Sequence, residues 1–317
     1  MEKEPHVVVI GATNLDIKGR PTSSMIPHTS NPGQVEISAG GVGRNIAENL
    51  TKLGIQTTLI SALSKDLFSE HLKEKARESS LSLEHVLLTD KYPTGLFMGF
   101  IDYRGDLISA ISDMSILEAI TPEFLQTKSE IIKSADFVVM DADISHESTE
   151  YVVNLCNRHD VPVCIEPVSI EKANNILPFL DRLTMVTPNR EEAEVLAGFR
   201  IKGARGVMAA GDAIIEKGAK YALITLGGEG VYLASKKMKR FVSSISTVVY
   251  DSVGAGDSLV AGTIYGLCRN RSVYESIRVG IACATLTLTT RQAVHPELSA
   301  ESLESLINER EWQPQNN

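Results

Sequence analysis

Residues 137–166, FVVMDADISHESTEYVVNLCNRHDVPVCIE, decide the fold. An apolar run, Phe137–Met140, leads into a segment of helical period, His146–His159, and a second apolar run, Val163–Ile165, follows. Ser145-His146-Glu147 places a capping hydroxyl at the helix start. Two continuous apolar strands joined through a helix imply parallel pairing in a sheet covered on both faces.

The same rhythm extends outward along most of the chain. Further buried strands are expected at Val7–Ile10, Thr57–Ala62, Met185–Thr187 and Ala222–Leu226. Helices are expected at Asn45–Leu53, Phe68–Ser79, Pro122–Ile132 and Val207–Lys217, the third opening on Thr121-Pro122. The fold class is α/β, with residues 1–317 forming a single layered domain around a mainly parallel sheet.

Two inserts interrupt this pattern. Residues 13–38 are rich in Pro, Ser, Thr and Asn and carry no helical period. Residues 94–111 read as a hairpin, alternating over Leu96–Asp102, turning at Tyr103–Asp106 and returning through Leu107–Ile111. Together they are expected to form a small β-sheet over one end of the main sheet, a lid. Phe97, Met98 and Phe100 would need cover there, so a homodimer paired through the lid is expected. The tail from Trp312 to Asn317 reads as disordered.

Composition narrows the function classes. The 317 residues are 43% hydrophobic and 22% charged, enough apolar content for a full core. A net charge of -9 argues against nucleic acid or anionic membrane as a partner. Lys236-Lys237-Met238-Lys239-Arg240, the one basic cluster, reads as a solvated turn between strands. The apolar run Val7–Ile10 is too short for a signal peptide, and no run approaches the about 18 residues of a membrane span. Four cysteines without a C-x-x-C pair read as buried thiols in a reducing, cytoplasmic setting. The seven scattered histidines offer no protein-coordinated metal site.

The chemistry concentrates in Asp251-Ser252-Val253-Gly254-Ala255-Gly256-Asp257, between a strand-like stretch, Ile245–Tyr250, and an apolar helix, Ser258–Cys268. Gly254, Ala255 and Gly256 let backbone amides converge at a helix N-terminus, where an anion or developing negative charge is favoured. A carboxylate is unfavourable beside phosphate alone, so Asp257 suggests a proton acceptor next to a phosphoryl group. A glycine-rich turn with a capping Asp is the plainer alternative. A second segment, Ala39-Gly40-Gly41-Val42-Gly43-Arg44-Asn45, could be a dinucleotide-binding turn, but Ile46 stands where the third glycine belongs. The other reading has Gly40 and Gly41 presenting backbone to a polyhydroxyl substrate, with Asn45 reaching it through its amide.

Gly40-Gly41-x-x-x-Asn45 and Asp251-Ser252-x-Gly254-Ala255-Gly256-Asp257, in this order and separation, resemble the two signatures of the ribokinase-like sugar kinase family, also called the phosphofructokinase-B family. The resemblance runs from Gly11 to about Ser299. It implies a ribokinase-like three-layer α/β sandwich with a small β-sheet lid, and an ATP-dependent kinase whose base is Asp257 beside an anion hole of Gly254, Ala255 and Gly256. It also implies sugar contacts at Asn14 and Asp16, and a magnesium and phosphate role for Asn189 and Glu192. Thr225, Gly227, Gly228, Gly230 and Cys283 are placed along ATP. Mg²⁺ is the implied divalent cation, with Glu192 reaching it through water. Asp251 and the Val253 carbonyl would hold a monovalent cation such as K⁺. On residue chemistry alone, the Glu-rich start at Asn189 could equally be a solvated first turn.

Within the family, local strings look closest to the pseudouridine kinases. They are Ser30-Asn31-Pro32-Gly33, Ser112-Asp113-Met114, Glu166-Pro167-Val168-Ser169 and Lys172, with Arg44 in place of a small residue before Asn45. This resemblance implies a nucleoside substrate touching Ser30, Asn31, Arg44, Asp113, Asp143, Ser169 and Lys172, phosphorylated on its 5′-hydroxyl. Asp113 and Lys172 could also be ordinary surface charges. Three other readings stay open: a ribose, fructose or common-nucleoside kinase, a non-catalytic sugar or nucleotide sensor, and a nicotinamide oxidoreductase.

Overall fold

The computed structural model describes residues 4–102 and 107–309. The expected turn at 103–106 and the tail 312–317 lie outside the described residues. In chain order the strands begin β1 (His6–Ile10), β2 (Asn14–Pro21), β3 (Gly33–Gly40), β4 (Gln56–Ile60), β5 (Ala62–Ser64), β6 (Leu87–Thr89), β7 (Gly95–Ile101) and β8 (Leu107–Asp113). They continue as β9 (Phe137–Asp141), β10 (Val163–Glu166), β11 (Met185–Val186), β12 (Tyr221–Thr225), β13 (Val231–Ser235) and β14 (Lys239–Val242). The helices are α1 (Val42–Lys52), α2 (Leu67–Glu78), α3 (Pro122–Gln126), α4 (Ser129–Lys133), α5 (His146–Arg158) and α6 (Ile170–Ile176). After them come α7 (Arg190–Ala197), α8 (Gly203–Glu216), α9 (Ala255–Cys268), α10 (Val273–Leu288) and α11 (Ala300–Glu309).

The central sheet has eight strands in the order β14-β13-β12-β11-β10-β9-β1-β4. From β12 to β4 the pairing is parallel, and β13 and β14 add an antiparallel edge. Alternate side chains of each strand enter different layers. Val7 and Val9 pack with α1, α9 and α10, whereas Val8 and Ile10 pack with the layer of α5 to α8. All four are fully buried, and each such side chain contributes on the order of 1.5–3 kcal/mol. The result is an α/β sandwich of three layers with a large, mainly parallel sheet. Among the described residues, no helix is long and apolar enough to cross a membrane.

The two inserts do meet in a second sheet, ordered β3-β2-β7-β8. A third, two-stranded sheet pairs β5 with β6. The basic cluster lies where the sequence suggests, around the β13–β14 turn.

Three expected elements differ. The strand expected over 57–62 is two strands in different sheets, because Ser61 leaves the central ladder and its carbonyl accepts from the Leu87 amide at 2.8 Å. The helix expected over 122–132 is broken into α3 and α4, since Thr127 and Lys128 close short i→i−3 bonds to Phe124 and Leu125. Residues 245–250 form no strand. They run without a ladder from β14 towards α9 and leave Val248, Val249 and Tyr250 exposed. The strand before Gly41-Val42-Gly43 is β3, which belongs to the small sheet, so this turn is not part of a dinucleotide-binding βαβ unit.

Candidate active site

β1 lies between β4 and β9, so chain connections leave the sheet in opposite directions there. A crevice opens beyond the carboxyl ends of strands at such a switch point. Asp141, closing β9, forms its floor. One carboxylate oxygen accepts from the Ala12 amide at 2.6 Å and from the Gly43 amide at 3.2 Å. The other accepts from the Asp143 amide at 3.2 Å. A Cβ on Gly11 would run into this carboxylate. Burial and the Asp143 charge push the Asp141 carboxyl above the usual range, while the three amides pull it back. Sequence reasoning missed Asp141, whose signal is an acid closing the apolar run 137–140.

The N-terminus of α9 faces the crevice. Gly254 holds a left-handed conformation, φ 79°, and any Cβ there would strike the Ala293 carbonyl. No side chain caps this helix, and nothing stands within 4 Å of where a Cβ on Gly256 would be. Its first-turn amides are therefore placed for an anion. Asp257, in that first turn, is almost covered, and burial pushes its carboxyl up to about 7. The Asn45 amide, donating to it at 2.7 Å, holds that rise back.

Arg44, expected at the substrate, is instead buried and committed to the protein. It donates to the Ala39 carbonyl at 3.1 Å and to Asn45 Oδ1 at 2.9 Å, and it pairs with Glu48. Holding the Asn45 oxygen leaves the Asn45 amino group aimed at Asp257.

The small sheet closes the crevice from the other side. Residues directly opposite across its strands share a face. Ser38, Asp16, Phe97 and Ser112 form one row, and Lys18 lies one pleat further out on the same face. Asp16 is buried, which raises its carboxyl, and it accepts from the Asn14 amide at 2.7 Å. Gly40 does more than present backbone: a Cβ there would collide with the Asp16 carboxylate. Phe97 stands beside Asp16, whereas Met98 and Phe100 are exposed on other rows. Alternation along β7 carried that distinction in the sequence, and grouping the three as exposed apolar residues obscured it.

Ser30 and Asn31 are not brought to the site. They lie in the loop beyond the Pro21–Gly33 pair, five strand residues from Asp16, or roughly 17 Å. Asn31 closes that loop on itself, accepting from the Ile26 amide at 2.8 Å. Asp113 pairs opposite Leu96, in the row of Leu15 rather than that of Asp16. Its exposed carboxylate accepts from the Ser115 amide at 3.0 Å.

Beyond β9 and β10, three expected residues do converge. Lys172 Nζ lies 3.4 Å from Asp143, and Ser169 caps α6 by accepting from the Lys172 amide. Burial raises the Asp143 carboxyl, against the pull of Lys172. Glu166, at the end of β10, accepts from the Val168 amide at 2.6 Å. Burial holds its carboxyl well above the usual range, with Asp257, Glu192 and Asp141 adding to the rise. Val168 takes φ 66°, a strained value for a β-branched residue.

Further along the sheet edge, Asn189 bridges to Thr225 and caps α7 in a reciprocal box with Glu192. Glu192 is 3% exposed, so this helix start is not a solvated first turn. Its carboxyl is raised by burial. Gly227, Gly228 and Gly230 follow β12 as an open turn, tied by Ser244 Oγ donating to the Gly228 carbonyl at 2.5 Å. Cys283 does not line this surface. It is fully buried on α10 against Gly262 of α9, and burial pushes its thiol up to about 12.

One end of the crevice thus offers anion-binding amides and glycine turns, and the other a carboxylate over small backbone. Between them stands a buried carboxyl able to exchange a proton near neutrality, the equipment for moving a phosphoryl group onto a hydroxyl. The pfkB family carbohydrate kinase profile matches residues 4–300. Pseudouridine kinase of Escherichia coli K12 is 32% identical, covering 98% of this chain and 99% of that protein. Pseudouridine kinase of Arabidopsis thaliana is 27% identical, covering 93% of each. Arabidopsis thaliana ribokinase, solved with ribose and ATP, superposes with a TM-score of 0.83 at 22% identity, over 96% of this chain and 98% of that one. The chain belongs to the pfkB family of carbohydrate kinases and is an ATP-dependent kinase.

Proposed function

We propose that the protein phosphorylates the 5′-hydroxyl of pseudouridine, with Asp257 as the base. The carrying observation is a covered carboxyl, pushed up to about 7, in the first turn of an uncapped helix. Likeness to two pseudouridine kinases supports the choice of acceptor. In the reaction the hydroxyl proton passes to Asp257, the oxygen bonds to the γ-phosphorus, and the bond to the ADP oxygen breaks. Amides at Gly254, Ala255 and Gly256 receive the charge that develops on the transferring group. Thr225 and the Gly227–Gly230 turn lie along ATP. Asn189 and Glu192 would address Mg²⁺ through its water shell, and the bound ion would neutralise phosphate charge.

Asn14 and Asp16 hold the ribose from the lid, where Gly40 leaves room for the carboxylate, and Asn45 keeps Asp257 in place. Phe97 offers its face to the base, and Asp143 with Ser169 and Lys172 reads its edge. Pseudouridine carries one ring N–H more than uridine, and a buried acceptor left unpaired by uridine costs roughly 1–3 kcal/mol. The lid row of Ile37, Ile17, Met98 and Ile111 would pair with a second copy to form a homodimer.

Parallel measurement of kcat/KM for pseudouridine, uridine, cytidine, guanosine and ribose tests the acceptor. The expected preference for pseudouridine over uridine is about ten- to a hundredfold. Equal or faster turnover of uridine or ribose assigns the site to another acceptor of the same family. Sedimentation at micromolar concentration tests the dimer, and a monomer alone would overturn it.

A further inference from the structure

A monovalent cation held by Asp251 and the Val253 carbonyl is expected from the family resemblance, and the residues present do not fit it well. One Asp251 oxygen accepts from the Val253 amide at 3.0 Å. The other faces the Lys18 ammonium at 3.4 Å. Lys18 arrives from β2, 233 positions away in sequence, and its side chain is 10% exposed. A second cation against the same carboxylate would be repelled at contact distance by an ammonium already there.

We infer that Lys18 supplies the positive charge at Asp251 itself, so that the enzyme works without a bound monovalent cation. Asp251 begins the segment that ends in Gly254, Ala255 and Gly256, so a charge that steadies Asp251 steadies the turn bearing the anion-binding amides. The contact of the Lys18 ammonium is with Asp251, and the proposed role runs through that carboxylate, as a positioning residue. Its place on the lid gives it a property that a free ion lacks. It shares a face with Asp16, whose carboxyl feels the charges of both Lys18 and Asp251. The ammonium therefore reaches Asp251 only when the lid strand lies over the site, and the same strand brings Asp16 there. The inference rests on the reading of 251–257 as the phosphoryl-transfer turn, but not on the identity of the acceptor.

Ion specificity separates this role from a plain lid-to-body ion pair. Turnover and melting temperature are measured for wild type, Lys18→Met and the double variant Lys18→Met/Asp251→Asn. The salts are the chlorides of K⁺, NH₄⁺, Na⁺ and tetramethylammonium, each at about 0.1 M so that screening is constant. Wild-type turnover is expected to agree within about twofold across the salts. Lys18→Met is expected to lose about tenfold or more in tetramethylammonium and to recover most of it in K⁺ or NH₄⁺. Its melting temperature should rise by on the order of 2 °C in K⁺, with no such rise in the double variant. Wild type stimulated severalfold by K⁺ overturns the inference. So does a folded Lys18→Met with no ion-specific recovery in rate or melting. Melting needs no acceptor, so an absence of wild-type turnover, which would count against the kinase reading of the site, is a separate result.

Discussion

The central sheet and the small sheet use strands of similar length to opposite ends. Val8 and Val9 are neighbours in β1, point into different layers, and are both fully buried. Ile37 and Ser38 are neighbours in β3, and Ile37 is 56% exposed while Ser38 shares the row of Asp16. The first sheet is apolar on both faces and supplies stability. The second has one face for chemistry and one apolar face, covered by Leu63 and Leu72 at Leu15 and Ala39 but exposed at Ile37, Met98 and Ile111. A site built across both joins groups fixed by deep packing to groups carried on a thinly supported platform.

Substituting Asp257 tests the deeply packed side and should give the largest effect. Asp257→Asn is expected to lower kcat by roughly 10²–10⁴-fold, with ATP affinity nearly unchanged, as steady-state kinetics and ATP titration would show. Near-normal turnover would remove Asp257 from the role of base. The same variant should be more stable than wild type at pH 8. Above the ordinary carboxylate value near 4, the unfolded chain has released this proton, whereas the folded protein keeps it up to about 7. Raising pH through that window therefore costs wild type, through this one carboxyl, at most about 1.4 kcal/mol per pH unit that the amide variant does not lose. Melting curves should show the gap between the two closing as pH falls towards 4.

Packing contrasts the two sheets directly. Ile10→Ala, in the buried ladder of β1, should cost about 2–5 kcal/mol in chemical denaturation. Ile37→Ala should change the stability of an isolated chain by no more than about 0.5 kcal/mol. A cost at Ile37 that grows with protein concentration would mark its face as covered by a second copy.

Asn45, on α1 just after β3 of the small sheet, should give the smallest catalytic effect. Removing its hydrogen bond in Asn45→Ala releases the restraint on the Asp257 carboxyl, so the acid limb of kcat/KM should move above its wild-type position near 7. The expected loss at the pH optimum is about tenfold. An unmoved limb would show that Asn45 does not tune the base.

How much of this was legible beforehand depended on the kind of pattern. Strands such as β1, β9 and β12 were readable because burial on both faces writes an unbroken apolar run. The break at Ser61 was not, since a chain passing from one sheet to another keeps its apolar character through the change. In the site, Asp257 and the glycines before it were visible because backbone convergence demands small residues in sequence. Lys18, Phe97 and Asp141 were not, because their meaning depends on cross-strand register and on the switch point between β1 and β9. The protein partners of Arg44 were not legible for a related reason. Its partner Glu48 lies one helical turn away, and nothing in the composition says whether such a pair faces solvent, substrate or core.

Gly40 has a consequence for how this sequence can change over time. The space it leaves is filled by the Asp16 carboxylate, so the two positions constrain each other. Gly40→Ala should be damaging while Asp16 is present, and much less so once Asp16 has been replaced by a smaller residue. A double-mutant cycle between them should therefore be strongly non-additive. In evolutionary terms the acid is a ratchet: a lineage that loses it is free to fill position 40, and once that position is filled, the acid has no room to return.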